Sequence, residues 1–151
     1  MIIPETILIV YFLFTTSYAV VFYIASLFYR DKSFESIDSA ALKKFCVFIP
    51  SYKEDSVIVS VARAAREQNY PKELYQVVVI ADSLQPETVD ALRKLDVVTI
   101  EVNFTTSTKV KSLNEAFNTI TTAFDYAVIL DADNVMEKNF LRKVNYMHSL
   151  G

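Results

Sequence analysis

The feature that most constrains this chain is a run of 23 residues without a charged side chain, from Ile7 to Tyr29. As an α-helix the run is about 34 Å long, at about 1.5 Å per residue, and the hydrocarbon core of a bilayer is about 30 Å thick. Only four of its residues fall outside the hydrophobic set: Thr15, Thr16, Ser17 and Ser26. The run therefore predicts one transmembrane helix within an N-terminal anchor, residues 1–29.

A cleaved signal peptide and the core helix of a soluble protein are the alternative interpretations of this run. A signal peptide begins with basic residues, whereas Met1 to Thr6 contains no Lys or Arg and carries Glu5. The apolar run is also longer than the apolar region of a usual signal peptide. These two observations favour the membrane anchor.

The basic residues near the apolar run all lie on its C-terminal side. They are Arg30, Lys32, Lys43 and Lys44. Because short flanking segments rich in Lys and Arg stay in the cytoplasm, we expect a single-pass membrane protein whose C-terminal domain is cytoplasmic. The polar segment of mixed charge over residues 30–44 is typical of a juxtamembrane linker.

Composition excludes several classes of function. The formal net charge is −3 and the isoelectric point is near 5.2, so the chain lacks the basic face that nucleic-acid binding requires. A single cysteine, Cys46, and a single histidine, His148, form neither an internal disulfide nor a zinc cluster, so any metal is bound by oxygen. The only glycine is Gly151, which excludes glycine-rich phosphate loops.

The rest of the chain alternates short apolar runs with helical patterns and ends in a helix predicted over Glu137 to Ser149. Runs rich in Val and Ile, apolar on both faces, are typical of buried parallel strands. Four occur: Phe45 to Ile49, Gln76 to Ala81, Val97 to Val102 and Tyr126 to Leu130. Between them, helical spacing is found around Val57 to Ala65, Thr88 to Leu95 and Lys111 to Ala123. This order predicts an α/β fold with an open, mostly parallel, doubly wound sheet.

Ligands of such sheets bind beyond the carboxyl ends of the strands, and polar residues cluster there in this sequence. Pro50 to Glu54 follows the first run, Asp82 the second, and Asp131-Ala132-Asp133-Asn134 the fourth. The two carboxylates of the D-x-D motif can share one hard cation, and Mg²⁺ or Mn²⁺ combines few carboxylates with diphosphate oxygens. The alternative is that Asp133 or Asn134 only caps the next helix.

Four motifs together resemble glycosyltransferase family 2, which includes cellulose, chitin and hyaluronan synthases. They are F-C-V-F-I-P-S-Y-K-E, V-V-V-I-A-D-S, K-V-K-S-L-N-E-A-F and Y-A-V-I-L-D-A-D-N. They occur in the family's order over about Phe45 to Gly151. The resemblance implies the GT-A fold and an inverting transfer of a sugar from a nucleoside diphosphate donor.

The resemblance also implies a role for each matching residue. The base and ribose would be held by Pro50, Ser51, Tyr52 and Glu54, and Asp82 would hydrogen-bond the base. Lys109 lies near the diphosphate, together with Asp131, and Asp131 and Asp133 bind Mg²⁺ or Mn²⁺. The alternatives are that Tyr52 is an ordinary aromatic residue at a strand end and that Lys109 is a solvated charge at a helix start.

Three positions depart from the family's pattern. Lys53 stands where Asn is usual, Ala81 replaces the first Asp of D-D-G-S, and Thr108 replaces a Gly before the lysine. The family's acceptor-binding half, with its general base, lies beyond Gly151, so no catalytic residue is nominated and residues 45–151 correspond to the donor-binding half.

The sequence therefore predicts a membrane-anchored hexosyltransferase that uses a nucleoside diphosphate sugar, with UDP as the favoured carrier. Its acceptor is an unidentified glycan or lipid, and the chain on its own is expected to be inactive without a C-terminal half or a partner subunit. The alternative is a non-catalytic, membrane-anchored nucleotide-binding or scaffold module.

The predicted topology is tested by cysteine labelling of intact cells with a membrane-impermeant reagent. A cysteine introduced at Ser36 should stay unlabelled because the positive-inside rule places it in the cytoplasm. A cysteine introduced at Ile3, before the apolar run, should be labelled, and the parent chain with Cys46 alone gives the background. Labelling at position 36 would show that the orientation is wrong.

Overall fold

The computed structural model describes residues 3–28 and 41–149. The chain divides into two compact units, Met1–Glu35 and Ser36–Gly151. The first contains helix α1 (Ile3–Leu27). The second contains, in chain order, β1 (Phe45–Tyr52), α2 (Ile58–Arg66), a 3₁₀ turn (Lys72–Leu74), β2 (Tyr75–Asp82), α3 (Pro86–Arg93), β3 (Val98–Val102), α4 (Lys109–Thr119), β4 (Tyr126–Ile129) and α5 (Phe140–Ser149).

Helix α1 confirms the predicted apolar helix. Within the described residues it is the one helix long and apolar enough to cross a membrane, with a mean hydropathy of 2.1 over Glu5–Leu27 and none of that window buried. Two of its hydroxyl groups bond within the helix: Thr15 Oγ1 donates to the Tyr11 carbonyl at 3.0 Å and Ser26 Oγ to the Tyr23 carbonyl at 2.7 Å. Such bonds lower the cost of placing a hydroxyl in an apolar medium.

The second unit is built on a four-stranded sheet in the order β3-β2-β1-β4, with all strands parallel. The central strand β1 pairs with β2 along its whole length, from Phe45 opposite Tyr75 to Tyr52 opposite Asp82. On its other edge it pairs with β4 only as far as Phe48, opposite Ile129. The sequence prediction of a parallel α/β sheet is confirmed.

The side chains of β1 alternate between two hydrophobic cores. Phe45, Val47 and Ile49 pack on one face with residues of α2, α3 and α5. Cys46 and Phe48 pack on the other face with α4. Since helices cover both faces, all five of these residues are at most 2% exposed, and the run is apolar throughout rather than alternating.

Burial lowers the reactivity expected of the single cysteine. The Cys46 side chain is fully buried, and this burial raises the pKa of its thiol to about 11, although Gln76 Nε2 donates to Sγ at 3.3 Å. Because the thiolate is the reactive form, Cys46 is expected to give little background in thiol labelling.

The expectation that all four strands are buried on both faces is wrong for β3 and β4. Both are edge strands. The residues of β4 alternate between partly buried and exposed, with Ile129 49% exposed, and Ile100 is the one buried residue of β3. The reason is that α4 packs against β1 and β2. The outer face of β4 therefore lies beside the helix rather than under it.

Strand β1 is also longer than predicted, because Pro50, Ser51 and Tyr52 belong to it rather than following it. Asp82 likewise ends β2 instead of following it. The Phe48 carbonyl accepts from Leu130 N at 2.9 Å and thus faces β4. Pro50, two residues on, faces the same side, where β4 has ended, so its missing N–H removes no bond from the sheet.

Helix boundaries differ from the predicted ones for identifiable reasons. Helix α3 begins at Pro86, since proline suits the first turn. Helix α4 begins at Lys109, because the Thr108 side chain accepts from Lys111 N at 3.2 Å and caps it, and it ends at Thr119 before the extended Ile120. Helix α5 begins at Phe140, three residues later than predicted.

The chain enters β1 through hydrogen-bonded residues. Lys43 N donates to Tyr70 Oη and to Asn145 Oδ1, both at 3.0 Å, and Lys44 N donates to Asp125 Oδ2 at 2.7 Å. Most of the predicted linker, residues 30–44, and its charges Arg30 and Lys32 lie outside the described residues. Its last residues are bound to the sheet domain.

A core substitution tests the placement of α5. Leu141 is fully buried beside β1, so Leu141→Ala should lower the free energy of unfolding by about 2–5 kcal/mol. Met147→Ala on the same helix, where the side chain is 66% exposed, should change it by less than about 0.5 kcal/mol. Pulse proteolysis in urea on the full chain in detergent measures both, and equal losses would contradict the packing of α5.

Candidate functional site

The candidate site lies where the direction of the strand order reverses. From β1 the chain proceeds through β2 to β3 on one side and then crosses back to place β4 on the other side of β1. The loops at the carboxyl ends of β1 and β4 therefore run apart, which opens a crevice between them. Because β4 stops opposite Phe48 while β1 continues to Tyr52, this crevice extends down along the exposed edge of β1.

A cleft of about 110 Å³ occupies this position. Its walls come from the end of β1, the start of α4 and the loop after β4, and the residues are Pro50, Ser51, Tyr52, Ser107, Lys109, Ser112 and Asp131. It is smaller than the roughly 300–1,000 Å³ of sites for drug-sized ligands. A ligand as large as a nucleotide would therefore extend past the rim, where the Tyr52 side chain is 49% exposed.

The structure brings together five of the predicted site residues in this cleft: Pro50, Ser51, Tyr52, Lys109 and Asp131. Ser51 is 1% exposed, and its Oγ is a buried polar atom without a hydrogen-bond partner among the described residues. An unpartnered buried hydroxyl group is costly, and this one can donate to or accept from a ligand in the cleft.

Asp82 lies next to the cleft rather than in its lining. The side chain is fully buried, and each oxygen accepts a serine hydroxyl: Oδ1 from Ser83 Oγ at 2.9 Å and Oδ2 from Ser107 Oγ. Ser107 itself lines the cleft. Asp82 therefore reaches the cleft through Ser107 in this structure, not by direct exposure of its carboxylate.

Two residues at the carboxyl ends of the central strands have positive φ angles, 57° at Lys53 and 56° at Ser83. This left-handed conformation is costly for residues other than Gly, Asn and Asp. It allows Lys53 N to donate to the Asp82 carbonyl at 3.1 Å and Ser83 N to the Val102 carbonyl at 3.3 Å. The Lys53 ammonium lies over the Tyr52 ring, 5.1 Å from its centre. Strained turns thus connect the strand ends around the cleft.

Glu54, predicted to hold the ribose or base, is exposed and does not line the cleft. Its carbonyl accepts from Val57 N at 3.2 Å and Ile58 N at 3.0 Å, so its backbone starts α2. The next residue, Asp55, accepts from Gln85 N at 2.8 Å. A hydrogen bond with the Thr88 side chain, followed by the one from Gln85, lowers the pKa of Asp55. This carboxylate ties the loop after β1 to the start of α3.

Lys109 and Asp131 form an ion pair across the cleft. Lys109 is the first residue of α4, and Asp131 follows β4 by two residues. Their side chains are 50% and 55% exposed, so both remain accessible to a ligand. Lys109 is a charged residue at the start of α4, as the alternative interpretation of the sequence predicts. It also lines the cleft.

The D-x-D segment is held by its apolar residues. Ala132 and Met136 are buried in the core, at 7% and 5% exposure, while Asp131 and Asp133 are exposed. Asn134 N donates to the Asp131 carbonyl at 3.0 Å and closes a turn. Because α5 begins six residues after Asn134, neither Asp133 nor Asn134 caps it, and that alternative is wrong.

These carboxylates fit a divalent cation that takes few ligands from the protein. Within residues 3–28 and 41–149 no group of three or more His, Cys, Asp or Glu side chains surrounds a metal position. Two exposed carboxylates leave room for water and phosphate oxygens, which Mg²⁺ and Mn²⁺ accept. In this structure the positive group paired with Asp131 is the Lys109 ammonium.

Sequence reasoning missed two serines of the cleft, Ser107 and Ser112. Ser107 stands directly before the Thr108 cap, and Ser112 lies one turn inside α4, with its Oγ donating to the Thr108 carbonyl at 3.3 Å. The available signal was their spacing around Lys109, since residues at a helix start and one turn later share a face.

Residues 43–150 of this chain match the model of a protein family described as "Glycosyltransferase like family 2". The chain belongs to that family. The match covers the whole sheet domain, including every element from β1 to α5. None of the curated proteins matches the sequence.

Several solved structures share the fold of this family 2 domain. Mannosyltransferase PcManGT from Pyrobaculum calidifontis, in complex with GDP-Man and Mn²⁺, is 24% identical with a TM-score of 0.58, over 71% of this chain and 33% of that one. TarS 1–349 from S. aureus, in complex with UDP-GlcNAc, is 21% identical with a TM-score of 0.56, over 68% and 30%.

Glucosyl-3-phosphoglycerate synthase from Mycobacterium tuberculosis, in complex with Mn²⁺, UDP and glucosyl-3-phosphoglycerate, is 16% identical with a TM-score of 0.60, over 82% of this chain and 47% of that one. At these identities the likeness shows the GT-A fold. The chain spans between 30% and 47% of the length of the three solved chains.

The tie between Asp55 and α3 predicts a dependence of stability on acid. Because the folded-state pKa of Asp55 is below its unfolded value of about 3.9, its contribution is present above about pH 4 and is lost as the pH falls through the folded pKa. Wild type should therefore lose more stability than Asp55→Asn between pH 5 and pH 3.

Glu115→Gln serves as the control, because it removes one negative charge from an exposed position on α4. Its loss of stability over the same interval should match that of wild type. Urea unfolding at each pH measures the three proteins, and an Asp55→Asn curve parallel to that of wild type would contradict the assignment.

Proposed function

We propose that this protein is a membrane-anchored glycosyltransferase whose sheet domain binds a nucleoside diphosphate sugar together with Mg²⁺ or Mn²⁺. The observation that carries the proposal is the cleft at the strand-order reversal, in which a lysine and a D-x-D carboxylate face each other in a domain of this family. This arrangement offers one positive and one metal-binding group to a diphosphate.

The base and ribose are assigned to the end of β1. The exposed Tyr52 ring forms the rim of the cleft and presents an aromatic surface on which a base can stack. Asp82, Ser107 and Ser51 are polar groups beneath it, and a small shift of the Ser107 hydroxyl would free an Asp82 oxygen for a base N–H. Uridine is the nucleoside we favour, and structures of similar fold contain UDP and GDP-Man.

The diphosphate is assigned to Lys109, Asp131 and Asp133. A cation held by the two carboxylates would neutralise the diphosphate and stabilise it as a leaving group. Lys109 would donate to a phosphate oxygen from the first turn of α4, and the helix N-terminus adds a favourable partial charge. These are binding roles, and we assign no general base to this chain.

The residues of the cleft account for donor binding, and the acceptor site lies outside them. We infer an inverting transfer to a glycan or lipid acceptor, and a further half or partner subunit that supplies the acceptor site. The length of the similar solved chains supports this, because this chain matches less than half of each. Helix α1 would anchor the domain at the cytoplasmic side of the bilayer.

Calorimetric titration of the full chain in detergent tests the donor site. UDP should bind only in the presence of Mn²⁺, because the diphosphate and the D-x-D carboxylates otherwise repel each other. Asp133→Asn should abolish the metal dependence and most of the affinity. Asp82→Asn should weaken binding and keep the metal requirement, and Tyr52→Ala should cost about 1–3 kcal/mol of binding free energy.

The control is Asp90→Asn, which removes an equal charge on α3, outside the cleft, where Asp90 pairs with Arg93. It should leave both the affinity and the metal requirement unchanged. Equal UDP affinity of wild type with and without Mn²⁺ would be evidence against the metal site. Absence of UDP binding under both conditions would contradict the proposed donor site in this chain.

A further inference from the structure

The ion pair between Lys109 and Asp131 places a positive group on a carboxylate that the proposed function assigns to a metal. The two residues are 22 positions apart in sequence and come from different elements, α4 and the loop after β4. In the ligand-free protein this carboxylate is therefore paired with Lys109.

A divalent cation that approaches Asp131 must displace the ammonium of Lys109 and then experiences repulsion from it at short range. A diphosphate changes this balance because it offers Lys109 another anionic partner and gives the metal additional oxygen ligands. The same lysine therefore opposes the metal alone and favours the metal together with the diphosphate.

We propose that Lys109 is an exchange residue that couples metal and nucleotide binding: it pairs with Asp131 in the free protein and transfers to the diphosphate when the donor binds. This inference rests on the proposed function and concerns the order in which its ligands enter. It predicts that metal alone binds weakly and that UDP raises the metal affinity. By thermodynamic linkage, the metal raises the UDP affinity by the same factor.

The exposure of the pair sets the size of the effect. Ion pairs between groups that are about half exposed contribute little, because water screens them. Loss of such a pair corresponds to a change of about two- to five-fold in an equilibrium constant. Lys109 therefore lowers the affinity for metal alone by this factor while leaving the exchange readily reversible.

The chain offers a matched control in Lys111. It lies two residues further along the first turn of α4, carries the same charge, and does not line the cleft. Its Nζ donates to the Thr106 carbonyl at 2.8 Å. A general effect of net charge on metal binding would thus appear equally in Lys109→Gln and Lys111→Gln, whereas the exchange affects only the first.

The experiment titrates Mn²⁺ into the full chain in detergent and follows the free-ion signal by electron paramagnetic resonance, first without and then with saturating UDP. Without UDP, Lys109→Gln should bind Mn²⁺ about two- to five-fold more tightly than Lys111→Gln. With UDP, the gain in Mn²⁺ affinity should be smaller in Lys109→Gln than in wild type. Lys109→Arg keeps the charge and should behave as wild type in the absence of UDP.

Equal Mn²⁺ affinities of Lys109→Gln and Lys111→Gln without UDP would overturn the exchange, as would undetectable Mn²⁺ binding to Lys109→Gln. Failure of the proposed function is a separate result, because it appears as absent UDP binding to wild type. The titration with Mn²⁺ alone tests whether Lys109 competes with the metal for Asp131, whether or not wild type binds UDP.

Discussion

The burial of β1 between two parallel neighbours is the constraint on which the rest of this domain depends. Its residues Phe45 to Ile49 are almost completely buried and alternate between the core under α2, α3 and α5 and the core under α4. A strand fixed on both faces and both edges has no freedom to shift its register, because a shift of one residue would exchange the two cores. Its carboxyl end is thereby held in place, and the cleft begins there.

The shape of the cleft follows from the unequal lengths of the strands. β2 accompanies β1 to Tyr52, whereas β4 leaves it at Phe48. The edge of β1 beyond that point faces open space instead of a partner strand, and Pro50 is compatible with it because it needs no hydrogen bond there. The loop after β4 then passes beside this edge and carries Asp131 toward the first turn of α4. Geometry set by the sheet brings residues that are far apart in sequence into one site.

The sequence predicts most of the architecture because the central strands are continuous apolar runs, which are typical of buried parallel strands. The polar motifs that follow these runs indicate the carboxyl ends of the strands. It does not predict which strands lie at the edges, since the number of neighbours depends on the whole topology, so the exposure of Ile129 was not foreseen. The burial of Asp82 under Ser107 and the pairing of Lys109 with Asp131 are likewise tertiary contacts, over 25 and 22 positions, without a local signal.

The departures from the family's motif pattern keep the backbone of the site while changing its side chains. Thr108 stands where Gly is frequent, but its φ of −145° is an ordinary extended angle, and its hydroxyl caps α4 as Gly cannot. Lys53 stands where Asn is usual and adopts a φ of 57°, at a cost of about 1–2 kcal/mol for a residue other than Gly or Asn. The bond from its N–H to Asp82 and the contact of its ammonium with Tyr52 offset part of that cost. The loop conformation is therefore held by the contacts of Lys53 with Asp82 and Tyr52 rather than by the intrinsic preference of residue 53.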